Sequence, residues 1–361
     1  MKIIISGGGT GGHIFTGIAI AEELKKKDRE NQVIFVGTPN GMEVKIVPLY
    51  GYTLMTLPGK KFKGKSIIYK LSSLYEIPKG IIKGIRILKK YRPDLVLGIG
   101  GYASAPMVIA AFFSGIKTAI HEQNTIPGLT NRFLAPFVKK IFIGFYQAAS
   151  FFSQRKTLIT GNPVRSALLP ENCVQDTKKF TILMLGGSQG AHNINTAMLD
   201  ALKELMEVKD KIRIIHQSGE HDRIIMEKAY KNAGIEAKVE AFIEDMATVL
   251  KRSNLIISRA GAGSISEIMV WGKASILIPF PFAAYNHQEH NARVLSENGA
   301  AEVLLEKELT GKRLGTIIKK FFLNPEKLNV MGKNAKKLSN PHAARVIVDE
   351  CYRLAGNESI N

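Results

Sequence analysis

Residues 2–13 read KIIISGGGTGGH, and residues 181–192 read TILMLGGSQGAH. Each is a short β-branched, apolar run that ends abruptly in clustered glycines and leads into a helix-like stretch. Strand, glycine loop, helix is how an open α/β sheet presents backbone N–H groups and a helix N-terminus to an anion. One such loop is weak evidence, because a tight strand–helix turn needs glycine for steric reasons alone. Two of them, half a chain apart and each ending in Gly-x-His, predict two similar nucleotide-binding-type domains facing each other across a cleft.

Outward from these loops the chain alternates. Expected strands in the first half are 2–6, 32–36, 94–98, 117–120 and 140–143, with helices at about 13–27, 79–90, 104–114 and 126–135. The second half repeats the scheme, with strands at 180–185, 212–216, 237–241, 254–257 and 275–278 and helices near 191–206, 221–233, 245–251, 263–270 and 288–297. Buried, near-continuous apolar strands alternating with helices imply an α/β fold with parallel sheets covered on both faces. At 361 residues the chain fits two domains of about 150–200 residues each. They are placed at 1–160 and 161–340, with the seam at TGNPVR (160–165), where Asn162-Pro163 is a turn signal. A helix at about 341–354 ends the chain, and residues 341–361 are candidates to pack back on the first domain.

Composition bounds the rest. A hydrophobic fraction of 45% and a charged fraction of 22% are those of a soluble globular protein. Cys173 and Cys351 allow one bridge at most, so a reducing cytosol is the default. The N-terminus is a strand followed by glycines, without the apolar segment of a secretion signal. No run approaches the roughly 18–20 apolar residues of a membrane span; PMVIAAFFSGI (106–116) reads as a buried helix. The formal charge is +19, and residues 60–92 hold eleven Lys or Arg against one acid, Glu76. Ile67, Ile68, Leu71, Leu74, Ile81, Ile82 and Ile85 are interleaved with them. Two readings stand: a surface lying on an anionic bilayer, or a solvated amphipathic helix whose apolar side is core, interrupted at Pro78. No motif supports nucleic acid as the partner.

Gly7, Gly9 and Gly12 have the spacing of a dinucleotide fingerprint, yet the strand 32–36 ends in Gly37-Thr38, with no acid for a ribose, and Glu43 comes late. His13 opens a helix, where imidazolium is disfavoured, so a neutral ring is suited to taking a proton; capping its helix or touching a phosphate is the competing role. Four more loops follow apolar strands: GIGGYASAP (98–106), HEQNTIPGLTNR (121–132), SRAGAGSISE (258–267) and PFPFAAYNHQEHNA (279–292). In SRAGAGSISE, small residues and free N–H groups suit a diphosphate. Glu267, one turn in, suits two vicinal ribose hydroxyls or serves only as a first-turn acid.

Together, GGGTGGH, DLVLGIGGYASAP, HEQNTIPGLTN, GNPVR, GGSQGAHNIN, FIEDM, RAGAGSISE and HQEHNA resemble, in order, the motifs of the MurG family of N-acetylglucosamine transferases. That resemblance implies a GT-B fold of two Rossmann-like domains, acceptor on the first and donor on the second. It implies transfer of N-acetylglucosamine from UDP-N-acetylglucosamine to lipid I, forming lipid II for peptidoglycan at the cytoplasmic face of the membrane. Carried over by motif, Thr10, Gly11 and Gly12 approach the diphosphate and sugar. Asn124 touches the sugar, Arg165 supports the donor from the hinge, and Ser188 binds phosphate. Ile243 offers backbone bonds to uracil. Ala262, Gly263, Ser264, Ile265, Ser266 and Glu267 hold diphosphate and ribose, and Gln288 reaches the sugar hydroxyls. His13 is the base, with Tyr102 and Glu122 as acceptor-side polar groups. Thr16 departs from the family, where proline is common, and FPFAAYNHQ is more aromatic than in relatives.

The reaction so implied is an inverting single displacement. No DxD-type acidic pair stands in a donor loop, so neither a metal clamp nor a cofactor is expected. Three other classes compete. A hydrolysing UDP-N-acetylglucosamine 2-epimerase would share the fold but want more acids and arginines around the sugar. A non-catalytic nucleotide-sugar or lipid-carrier binder would have no use for His13. A nicotinamide oxidoreductase lacks its ribose acid.

Overall fold

The computed structural model describes residues 1–58, 67–170, 179–187 and 190–356, and of 67–75 the backbone alone. The chain divides into two compact units, Met1–Ser166 with Asn340–Asn361, and Ala167–Ser339.

Among the described residues, the first unit is built on seven strands: β1 (Lys2–Ser6), β2 (Gln32–Gly37), β3 (Thr53–Thr56), β4 (Leu95–Gly98), β5 (Lys117–Glu122), β6 (Lys140–Ile143) and β7 (Thr157–Ile159). All pair in parallel, in the order 3-2-1-4-5-6-7. Its helices are α1 (Gly11–Lys27), α2 (Glu43–Leu49), α3 (Ile67–Tyr91), α4 (Ser104–Phe113) and α5 (Leu129–Leu134). Side chains alternate across the strands, so each apolar run feeds two cores. Ile4, Val96 and Ile120 pack with Met107 and Val108 of α4 on one face. Ile3, Ile5, Leu95 and Leu97 pack with Ile14 and Ile18 of α1 on the other. The C-terminal helix Ala343–Ala355 returns to this second face, adding Ile347, Val348 and Cys351. Lys140 Nζ pairs with Glu350 Oε1 at 2.9 Å, and the Tyr352 hydroxyl donates to Asn31 Oδ1 at 2.8 Å.

Pro78 does not interrupt α3, which runs through it. Pro78 is exposed, while the contact with α4 is made by Gly80 and Gly84. A Cβ on either glycine would stand 2.9 and 3.0 Å from the Cβ atoms of Pro106 and Ala110.

Among its described residues the second unit has six parallel strands: β8 (Phe180–Leu185), β9 (Ile212–Gln217), β10 (Glu236–Glu240), β11 (Leu255–Ser258), β12 (Ala274–Leu277) and β13 (Glu302–Val303), in the order 10-9-8-11-12-13. Its helices are α6 (His192–Leu205), α7 (Arg223–Ala233), α8 (Met246–Arg252), α9 (Ala262–Trp271), α10 (His287–Glu297), α11 (Gly311–Phe322) and α12 (Pro325–Lys337). In both sheets the unit's first strand is central. The chain winds outward on one side and then jumps to the other, so the strand order switches between β1 and β4 and again between β8 and β11. Open α/β sheets bind ligands at the carboxyl ends of the strands beside such a switch. Each glycine loop leaves the sheet there.

Candidate active site

In the first unit the loops after β1, β4 and β5 are tied together. Gly8 N–H donates to the Gly100 carbonyl at 3.3 Å, and the two backbones lie so close that a Cβ on Gly101 would stand 2.4 Å from the Gly8 oxygen. Gly100 (φ +89°) and Gly101 (φ +82°) occupy the left-handed region, which glycine enters without steric cost. The Gln123 amide donates to the Ile99 carbonyl at 3.0 Å, joining the loop after β5. Thr10, Tyr102 and Asn124 on these loops, Gly11, Gly12 and His13 in the first turn of α1, and Glu122 at the end of β5 therefore all lie at one end of this sheet.

His13 Nδ1 lies 3.1 Å from the Gly8 carbonyl and 3.2 Å from Thr10 Oγ1. A carbonyl can only accept, so Nδ1 carries the proton in that contact, and Nε2 of the neutral ring is the basic nitrogen. The Nε2 edge faces Gly100, on which a Cβ would stand 2.9 Å away. His121, buried behind the loops, is neutral: burial, opposed by a hydrogen bond to the Gly161 carbonyl and aided by the nearby His13, pulls its pKa down to about 4.

Glu122 is buried and occupied by its own loop. Oε1 accepts from the Asn124 N–H at 2.9 Å and the Asn124 amide at 3.1 Å; Oε2 accepts from the Gly128 N–H at 3.0 Å and the Asn131 amide at 2.8 Å. It orders the segment that carries Asn124. Arg165 donates to the Tyr50 hydroxyl at 2.6 Å and lies over the Phe15 ring at 4.2 Å.

Sequence reasoning missed Glu43. The residue is 1% exposed, and its carboxylate is surrounded by donors. The Gly9 N–H donates to Oε2 at 2.8 Å, and the Thr38 N–H and hydroxyl each donate to Oε1 at 2.8 Å. Where a dinucleotide fold keeps an acid for ribose, this unit uses one to brace the glycine loop from behind.

The second unit repeats the device with an amide. Gln217, at the end of β9, donates to the Gly187 carbonyl at 2.7 Å and accepts from the Ile243 N–H at 3.0 Å. Ile243 thus already spends its N–H inside the fold, which leaves its carbonyl as the backbone group to offer a base. Ser188 lies outside the described residues. On the far side of the switch, α9 begins at Ala262 after Gly261, which has no side chain with which to cap it. Ser266 turns inward, donating to the Ala262 carbonyl at 2.7 Å, while Gly263, Ser264 and Glu267 are partly exposed and Ile265 is core. Arg259 forms a largely buried ion pair with Glu306, which also accepts from the Asn193 amide at 2.6 Å; this links the loop after β11 to the first turn of α6. Gln288 accepts the Phe280 N–H at 2.9 Å through Oε1, which leaves its NH2 group to donate elsewhere.

Asp222 holds His192 Nδ1 at 3.1 Å and accepts from Asn195 at 2.7 Å. Asn195 Oδ1 lies 3.0 Å from Nε2 of His216, whose Nδ1 is 2.8 Å from the Tyr230 hydroxyl. Burial pulls the His216 pKa down to about 4.

Two switch-point crevices fronted by glycine loops, in two Rossmann-like units, are the architecture of a GT-B nucleotide-sugar enzyme. Both halves match glycosyltransferase family 28, its N-terminal domain over residues 3–143 and its C-terminal domain over 181–351. A UDP-N-acetylglucosamine–N-acetylmuramyl-(pentapeptide) pyrophosphoryl-undecaprenol N-acetylglucosamine transferase of Syntrophus aciditrophicus is 47% identical, covering 98% of this chain and 99% of its own. The crystal structure of Acinetobacter baumannii MurG superposes with a TM-score of 0.79 at 30% identity, over 98% of this chain and 99% of that one. The chain belongs to the MurG family. A UDP-N-acetylglucosamine 2-epimerase of Neisseria meningitidis superposes with a TM-score of 0.67 over 98% of this chain and all of its own, at 14% identity, a likeness of fold alone.

Proposed function

We propose that this protein transfers N-acetylglucosamine from UDP-N-acetylglucosamine to lipid I, forming lipid II, with His13 as the general base. The orientation of His13 carries the mechanistic part: the Gly8 carbonyl fixes Nδ1–H and leaves Nε2 as the proton acceptor. The acceptor hydroxyl oxygen attacks the anomeric carbon, the bond from that carbon to the diphosphate breaks, and the hydroxyl proton passes to Nε2. The leaving UDP takes the electron pair, and the sugar inverts. Charge developing on the diphosphate meets the N-terminal N–H groups of α9 and the Ser264 hydroxyl. Glu267 takes the ribose hydroxyls, the Ile243 carbonyl takes the uracil N–H, and the Gln288 NH2 group takes a sugar hydroxyl. Asn124, ordered by Glu122, and Thr10 with the N–H groups of Gly11 and Gly12 complete the sugar-phosphate contacts; Tyr102 faces the acceptor.

The lipid acceptor requires the enzyme to reach a bilayer, and no helix among the described residues is long and apolar enough to cross one. We assign attachment at the cytoplasmic face to residues 60–90. Within the described part, Lys79, Ile82, Lys83 and Arg86 are exposed on α3. The neighbouring helix α4 ends in Phe112 and Phe113, the latter 71% exposed, and the Phe112 ring meets Phe137 at 5.3 Å. A basic face beside exposed aromatic rings suits reversible adsorption to anionic lipid. Transfer of labelled sugar to a lipid I analogue tests the activity.

A further inference from the structure

The first glycine loop is held from behind by a buried anion. Glu43 opens α2, three hydrogen bonds compensate its charge, and three glycines leave it room. A Cβ on Gly8, Gly37 or Gly41 would stand 2.4, 2.4 or 2.1 Å from an atom of its side chain. Burying a carboxylate is costly unless donors surround it, and a loop merely in need of an acceptor for Gly9 N–H has cheaper ones in water. The arrangement fixes the Gly8–Gly9 peptide rigidly: Gly9 N–H points to Glu43, and the Gly8 carbonyl of that same peptide points to His13 Nδ1. One planar peptide thus connects the carboxylate to the imidazole.

We propose that Glu43 is a positioning residue for sugar transfer, acting through the Gly8–Gly9 peptide to fix the tautomer and ring plane of His13. The inference rests on the reading of His13 as the base. Glu43 touches no substrate. If the Gly8–Gly9 peptide rotates, the Gly8 oxygen leaves Nδ1, and the ring is free to place its proton on Nε2, where it can no longer accept one. In Glu43→Gln the side chain keeps an oxygen for Thr38 but sets an NH2 against the Gly9 N–H, so the peptide loses its anchor with little change in volume.

The experiment is a double-mutant cycle on the full chain with Glu43→Gln and His13→Ala, reading kcat, KM and UDP affinity, together with 15N spectra of histidine-labelled protein. Glu43→Gln is expected to lower kcat about 10- to 100-fold with UDP affinity within about twofold, and to change kcat less than about twofold once His13 is alanine. The His13 signal, identified by its loss in His13→Ala, is expected as the Nδ1–H tautomer in the unsubstituted protein and as a mixture in Glu43→Gln. An equal loss of kcat in both backgrounds, or a lowered melting temperature with kcat intact, overturns the inference. If His13→Ala alone leaves kcat unchanged, the base assignment itself fails, an outcome read without Glu43. Should Glu43→Gln not fold, the tautomer in the unsubstituted protein decides: an Nε2–H ring overturns the inference.

Discussion

His13 Nδ1 sits 3.1 Å from the Gly8 carbonyl oxygen, five residues earlier in the chain. The turn of GGGTGGH therefore leads into α1 and, through one of its carbonyls, holds the Nδ1 edge of the ring. Positioned bases contribute roughly 100- to 10,000-fold. His13→Ala is expected to lower kcat by that order, with UDP affinity in calorimetry within about twofold. Equal losses of turnover and affinity would instead make His13 a donor contact.

Gln217 should matter to donor binding although it is buried. It holds both the Gly187 carbonyl and the Ile243 N–H. Gln217→Leu leaves two buried backbone groups unpaired, at about 1–3 kcal/mol each, and lets the loops after β8 and β10 drift apart. UDP affinity is expected to fall about tenfold or more, while His13-dependent steps in the other unit are untouched. Unchanged affinity would show that the two loops hold their places without it.

Acid should weaken each unit through a buried imidazole. His121 and His216 are neutral in the fold down to about pH 4, against 6.5 when unfolded. Between those values the unfolded chain binds more protons than the native one. The stability is fully present above about 6.5 and drains as pH falls toward 4, up to about 3 kcal/mol per histidine. In urea titrations, His216→Gln should reduce the stability lost between about pH 7 and 5 by about 2 kcal/mol. Parallel losses in variant and parent would rule out His216 as a source.

Membrane attachment should depend on charge. Each contacting Lys or Arg adds about 1 kcal/mol at an anionic surface, and screening shortens to about 8 Å at physiological ionic strength. The triple change Lys63→Glu, Lys70→Glu, Lys83→Glu is expected to abolish co-sedimentation with anionic vesicles, and rising salt should weaken that of the parent. If parent and variant sediment alike, residues 60–90 are a solvated face.

Much of the fold is legible in the sequence because its strands are buried on both faces. Nine expected strands coincide with β1, β2, β4, β5, β6, β8, β9, β10 and β11 to within a residue or two, and the tenth with β12. The elements missed lack that signature. β3 is an edge strand with no buried residue, and β13 is two residues long. α11 carries Gly311 and Gly315, which read as breakers. In the fold they let α11 press onto α6, where added Cβ atoms would stand 2.2 and 2.6 Å from Asp200 and Glu204. The glycine loops of the site are legible because several of their positions, Gly7, Gly8, Gly100, Gly101 and Gly190 among them, have no room for a Cβ. Glu43 and Gln217 are not, since each reaches a backbone group of a glycine loop about 30 residues away, which leaves no periodicity or motif. The one clue was negative: an acid missing from the ribose position and present, out of place, at 43.

The most direct measurement follows the sugar. The protein is incubated with UDP-N-acetylglucosamine labelled in the sugar and a lipid I analogue in anionic vesicles, and the products are separated. The account predicts label in a lipid-linked disaccharide with inverted anomeric configuration, one UDP released per sugar transferred, and both abolished together in His13→Ala. Label recovered as free sugar or as its 2-epimer, with the lipid unglycosylated, would contradict it.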